Sequence, residues 1–213
     1  MGNRAVITTS KSLDVARSTD IGVYLHWNGG RDSVEAFLKY CKLKGYRSPE
    51  TDCYGWARFC QVIGNFFGGG LSLGIDKCCN LDCDNYDNGT YIIENWEIVD
   101  RKYFEGHEQS EHDINEMLKE IDGSQPKSEQ LGDFLSAKEI PISELKVGDV
   151  VFFYDNIYDK YAKHTVVGFG ENERVNGLKA YGVPYVDMYG NEDKGYAWNS
   201  NNYIRTETIR VCK

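Results

Sequence analysis

Residues 21–45, IGVYLHWNGGRDSVEAFLKYCKLKG, constrain the fold more than any other stretch of this chain. IGVYLHW is β-rich and strand-length, and it runs into Asn28-Gly29-Gly30, a strong turn signal. Asp32 is then placed to cap a helix, with Glu35 three residues on as in a capping box. Val34, Phe37, Leu38 and Cys41 follow the i, i+3, i+4, i+7 spacing that puts four apolar side chains on one helix face. Lys42 and Lys44 suit the negative end of that helix, and Gly45 supplies the stop. A strand, a tight turn and an amphipathic helix in so short a span require a helix packed on a sheet.

The same logic extends in both directions. TDCYGWARFCQVIG (residues 51–64) opens on Thr51 or Asp52 as a cap, and Trp56, Phe59, Cys60 and Ile63 repeat helical spacing until Gly68-Gly69-Gly70 breaks it. YDNGTYIIENWEIVDRKYF carries a hairpin-type Asn88-Gly89 turn and two β-rich runs around Asn95. Ser110 and Asp113 cap a short helix that can pack Ile114, Met117, Leu118 and Ile121, and DGSQPKSEQ follows as a linker. Beyond it, KVGDVVFFYD, KHTVVGFGE, VPYVDMYGNED and YIRTETIRVC read as short strands between turns. The fold expected is α+β. An N-terminal α+β domain (1–122) holds two amphipathic helices and a hairpin, an acidic linker spans 123–138, and a small all-β domain (139–213) forms an SH3-like barrel.

Composition enters where function does. The net charge of −9 argues against general nucleic-acid binding, which needs Lys and Arg to neutralise phosphates. Nine acidic residues against Lys119 and Lys127 concentrate most of that charge in residues 105–134. Such a segment is usually a solvated face, and it can also steer a basic partner by its field. Glu108, Glu111, Asp113, Glu116 and Glu120 are the candidate binding residues there. His107 and His112 stand without a third ligand and receive no role. The opening residues lack the apolar core of a signal peptide, Val6 departs from the myristoylation pattern, and no run approaches the ~18 apolar residues of a membrane span. A cytoplasmic protein without membrane contact is expected, its seven cysteines mostly free thiols.

Three constellations bear on chemistry. Cys53 stands in the first turn of a helix, where free N–H groups and the dipole favour thiolate, and His164 in KHTVVGFG is the one base in a suitable context. Asp52-Cys53, Gly148–Phe153 (GDVVFF) and His164–Gly168 (HTVVG) are similar to papain-like cell-wall endopeptidases and amidases. That likeness implies a Cys–His hydrolase or transferase. Against it, Tyr54 follows the cysteine where that family has Ser, the spacing from Cys53 to Gly148 is long, and Cys53 shares a face with Trp56 and Cys60, which favours a core thiol. DKCCNLDCDNYDNG (residues 76–89) resembles a metal site, yet its adjacent cysteines diverge and no calcium-loop register fits, so neither metal nor cofactor is expected. In LHWNGGRDS, residues His26, Trp27, Asn28 and Arg31 cluster at a strand–Gly–helix corner that can bind a ligand or partner, although no nucleotide fingerprint is present. The bland alternative has Gly29-Gly30 making the turn and Trp27 filling the core.

Long strings of the N-terminal part resemble an uncharacterised family of small proteins encoded by phages, plasmids and integrative elements of Gram-positive bacteria. The matching residues are MGNRAVITT (1–9), GVYLHWNGGRDSVEAFLKYCKLKGYRSPETD (22–52), YGWARFCQVIGNFFGG (54–69) and NGTYIIENWEIVDRKYF (88–104). The resemblance covers roughly residues 1–122 and brings no catalytic residues with it. It implies a mobile-element accessory protein, a class in which many members act against host defence by binding. A host protein with a basic, nucleic-acid-handling surface is the expected partner, in the manner of an anti-CRISPR, and an enzyme is the less favoured reading.

Overall fold

The structure is a computed structural model that describes residues 2–70, 72–103, 108, 110–141, 144–155, 160–166, 168–171, 179–182, 184–186, 192–196 and 208–212. Among the strands beyond residue 149, side chains are described only at 150–152, 163 and 209–212. The chain divides into two compact units, Met1–Gln130 and Leu131–Lys213.

The first unit is built on a five-stranded mixed sheet. Its strands are β1 (Ala5–Thr8), β2 (Ile21–Leu25), β3 (Leu73–Lys77), β4 (Thr90–Glu94) and β5 (Glu97–Lys102), in the order β3-β2-β1-β4-β5. β1 runs antiparallel to β2 and parallel to β4, and the edge strands β3 and β5 each pair antiparallel with their neighbour. Both faces of the sheet are covered. Because side chains alternate along a strand, Val6 and Ile92 point to one side and Ile7, Val23, Tyr91 and Ile93 to the other. On the first side Val6 and Ile92 pack with Val15, Cys78 and Cys83. On the second lie α1 (Arg31–Leu43) and α2 (Cys53–Phe66), which pack against each other and against α3 (Ile114–Ser124).

α1 buries Val34, Phe37, Leu38 and Cys41 as its spacing predicts, and Gly45 ends it with a φ of +71°. Its start differs from expectation. The residue preceding the helix is Gly30, which provides no side-chain cap, and Asp32 lies inside the first turn with its Oδ1 accepting from the Ser33 N–H at 2.7 Å. Glu35 pairs with Arg31 at 3.1 Å instead of closing a capping box. In α2, Asp52 caps by accepting from the Tyr54 N–H at 2.8 Å, and Gly55, Trp56, Phe59, Val62 and Ile63 form the buried face. Cys53 is exposed, not core: as the first helical residue it precedes the turn on which that face forms.

The hairpin turn is also displaced. β4 and β5 are joined at Asn95-Trp96, both with positive φ, while Asn88-Gly89 closes the preceding loop. There the Asn88 N–H donates to the Arg4 carbonyl, and a Cβ on Gly89 would meet the Lys102 carbonyl oxygen at 2.3 Å. Glycine is required by close approach at this point, with a φ of +71° besides.

In the second unit, β6 (Lys138–Pro141), β7 (Val150–Asp155), β8 (Lys160–Thr165) and β13 (Thr208–Cys212) form a four-stranded sheet ordered β6-β13-β7-β8. β9 (Gly168–Glu171) pairs with β10 (Lys179–Gly182), and β11 (Pro184–Val186) with β12 (Glu192–Tyr196). Leu145, Val151, Val166, Ile209 and Val211 make its core. Among the described residues these strands form open sheets and no barrel closes. The molecule is therefore α+β.

Candidate functional site

The corner after β2 begins with His26, whose backbone N–H donates to the Ser72 carbonyl at 2.9 Å while its ring faces solvent. Trp27 does not fill the core: it is 47% exposed, its ring edge-on to His26 at 5.1 Å between centroids. Asn28 takes a φ of +55°, and the Gly29 N–H donates to the Asn3 carbonyl at 2.8 Å. A side chain on Gly29 would strike the Arg4 and Ala5 backbone at 2.6 Å, so this glycine lets the corner lie against the β1 end.

Arg31 turns away from His26 and Trp27 into a charged cluster. Its Nε donates to Glu108 Oε2 at 2.5 Å, and a second guanidinium, Arg101 on β5, reaches Glu108 Oε1 at 3.2 Å. Both guanidiniums lie over the ring of Tyr91 on β4, at 5.8 and 5.6 Å from its centroid. Arg101 is also held by the Asn88 carbonyl, which accepts from its Nε at 2.7 Å. The hydrogen bond from Arg31 holds the Glu108 carboxyl below the usual range despite partial burial, and the same bond raises Arg31. Burial pushes the Tyr91 hydroxyl upward. Beside this cluster, buried Asp32 accepts the His112 backbone N–H at 2.5 Å, with His112 Nδ1 at 3.4 Å from the same oxygen. Asp32 thus fixes the residue immediately before the Asp113 cap of α3.

The five acidic candidates separate into three roles. Glu108 is a quarter exposed and neutralises two arginines. Asp113 caps α3, its Oδ1 accepting from the Asn115 and Glu116 N–H groups at 2.9 Å. Glu111, Glu116 and Glu120 are exposed and enter no ion pair among the described residues. The opposite face of α3 is packed by Met117, Leu118 and Ile121, while the Tyr40 hydroxyl donates to Asp122 at 2.7 Å.

Cys53 lies in the first unit beside the Asp52 carboxylate, which accepts from the Tyr54 N–H at 2.8 Å and meets Arg47 at 2.5 Å. His164 lies on β8 of the second unit opposite Val151, and its side chain falls outside the described residues. In the 76–89 segment, the Cys78 thiol donates to Thr8 Oγ1 at 3.3 Å and the Cys83 thiol to the Cys78 carbonyl at 3.4 Å. Two of its three cysteines therefore plug the sheet. No group of three His, Cys, Asp or Glu side chains suited to a metal occurs among the described residues. Nor is any of their helices long and apolar enough to cross a membrane.

No family model matches this chain, and neither the curated proteins nor the solved structures include one detectably similar to it.

Sequence reasoning missed Tyr91, Arg101, Asp32 and His112 as members of one cluster. Their separations in sequence are long, and only the pairing of β4 with β5 brings Tyr91 and Arg101 opposite each other. No local pattern marked Arg101, because β5 reads EIVDRK, a largely exposed edge strand.

Proposed function

We propose that this protein is a mobile-element accessory protein that binds a host protein through an acidic face, as an anti-defence inhibitor of the anti-CRISPR kind. The supporting observation is the set of exposed acids Glu111, Glu116 and Glu120 on and beside α3, whose apolar face is locked into the N-terminal unit. Ordered carboxylates suit a surface that otherwise receives nucleic-acid phosphates, since both are arrays of anionic oxygens. His26 and Trp27 provide an exposed aromatic contact of the type enriched at interfaces. The test is capture of a nucleic-acid-handling host protein at low salt by the wild type and by E111K/E116K/E120K. Binding lost in the variant and weakened by salt supports the reading. Undiminished binding by the variant ends it.

A second reading, a Cys–His hydrolase or transferase using Cys53 and His164, is favoured by one observation: Cys53 is exposed at a helix start. Cys79 is exposed too and serves as an internal reference. A nucleophile predicts that iodoacetamide labels Cys53 much faster than Cys79 at neutral pH, and that H164A removes the difference. Equal labelling rates exclude this reading.

A further inference from the structure

Glu108 sits where an external anion would sit. Its two carboxylate oxygens are divided between two guanidiniums, Arg31 and Arg101, and the floor beneath them is nearly closed to water, with the Arg101 side chain 7% exposed and Tyr91 wholly buried. The Glu108 side chain is 26% exposed, so the position borders solvent. Forked guanidiniums over an aromatic ring are the arrangement by which proteins hold carboxylates and phosphates. The Tyr91 hydroxyl is buried with no hydrogen-bond partner among the described residues. Buried polar groups are nearly always bonded, and this idle donor belongs to the ring that both guanidiniums overlie, where the present occupant leaves it without an acceptor. A carboxylate has two oxygens, and both are used.

We propose that Arg31, Arg101 and Tyr91 form an oxyanion site which the chain fills with its own Glu108, and that phosphate, with more than two acceptor oxygens, replaces it. The location agrees with the backbone, because Arg31 is the first residue of a 13-residue helix whose N-cap, Gly30, brings no side chain. Among the described residues, the neighbouring acids Glu35 and Asp32 are already engaged. Glu35 pairs with Arg31, and both oxygens of Asp32 already accept backbone N–H groups from Ser33 and His112. An anion of about the charge of the carboxylate it replaces matches the pairing with two guanidiniums, which favours singly charged phosphate. This site is independent of the exposed acids on α3.

The test compares E108A in chloride, acetate and phosphate at matched ionic strength and mildly acidic pH, where phosphate is mainly singly charged. Thermal melting in chloride should fall below that of the wild type. Phosphate should restore most of the loss and acetate clearly less. Adding Y91F should erase the advantage of phosphate over acetate. Calorimetric titration should give one saturable phosphate site in E108A, about tenfold or more tighter than in the wild type, where Glu108 competes. Equal rescue by acetate and phosphate reduces the cluster to an internal ion pair and overturns the proposal, as does a phosphate advantage that survives Y91F. Should E108A fail to fold in every buffer, E108Q is the host for the same comparison, and the same outcomes decide it.

Discussion

Two aspartates stand in the first turns of helices and do opposite things. Asp113 immediately precedes α3, is exposed, and satisfies two of that helix's free N–H groups. Asp32 sits one residue inside α1, is 4% exposed, and spends one oxygen on its own turn and the other on His112, eighty residues away. In sequence both look like caps. The difference is that a cap is a local device, whereas a buried carboxylate next to a helix start is available to whatever the fold brings past it. At α1 the fold brings the entry to α3, so a single side chain joins two helices that are far apart in the chain.

This contrast is broken most directly at Asp32. D32A leaves the buried Ser33 N–H and the part-buried His112 N–H without these acceptors and removes the tie between α1 and the start of α3. A loss of about 3 kcal/mol is expected, at the upper end for a buried hydrogen-bonding partner. Urea unfolding of the isolated chain measures it. A loss under about 1 kcal/mol would put Asp32 back in the class of surface caps.

Glu108 tests the same idea by pH. Its carboxyl is held below its unfolded value chiefly by the Arg31 hydrogen bond. A depressed acid contributes stability that is fully present above the unfolded pKa of about 4.3 and fades as pH falls through the lower folded value. E108Q should therefore cost about 1.5 kcal/mol at neutral pH, near the low end for a charge-assisted bond because the group is partly solvated. The gap between variant and wild type should narrow on acidification. A gap constant from neutral pH to pH 3 would show that the charge of Glu108 contributes nothing.

What the chain's sequence disclosed follows the range of the interactions involved. The α1 and α2 faces were legible because periodicity is local, and Asp52 and Asp113 were readable as caps for the same reason. β1 escaped notice although it is the middle strand of the sheet: four residues, AVIT, give no alternation to count. The hairpin turn was placed at Asn88-Gly89 because that dipeptide has the stronger turn chemistry. Its glycine is instead demanded by the nearby Lys102 and Tyr103 carbonyls. Cys53 was assigned to the core by extending a helical stripe one turn too far, past the end of the packed face. The Arg31–Glu108–Arg101–Tyr91 cluster was illegible because Arg31 meets Glu108 across 77 residues and Arg101 meets Tyr91 only through strand register.

The smallest effect belongs to Asp113. D113A removes the acceptor for two N–H groups that water can reach, so the penalty should be about 1 kcal/mol, the usual value for an N-cap. Because Asp32 continues to hold His112, the start of α3 stays anchored from the other side. The double variant D32A/D113A should then lose more than the two single losses combined, since each acid limits fraying that the other would permit. Hydrogen exchange of the Asn115 and Glu116 amides reads this locally: faster in D113A, faster still in the double variant. Strict additivity would mean that the two aspartates, though their nearest targets His112 and Asn115 are three residues apart, act on separate elements.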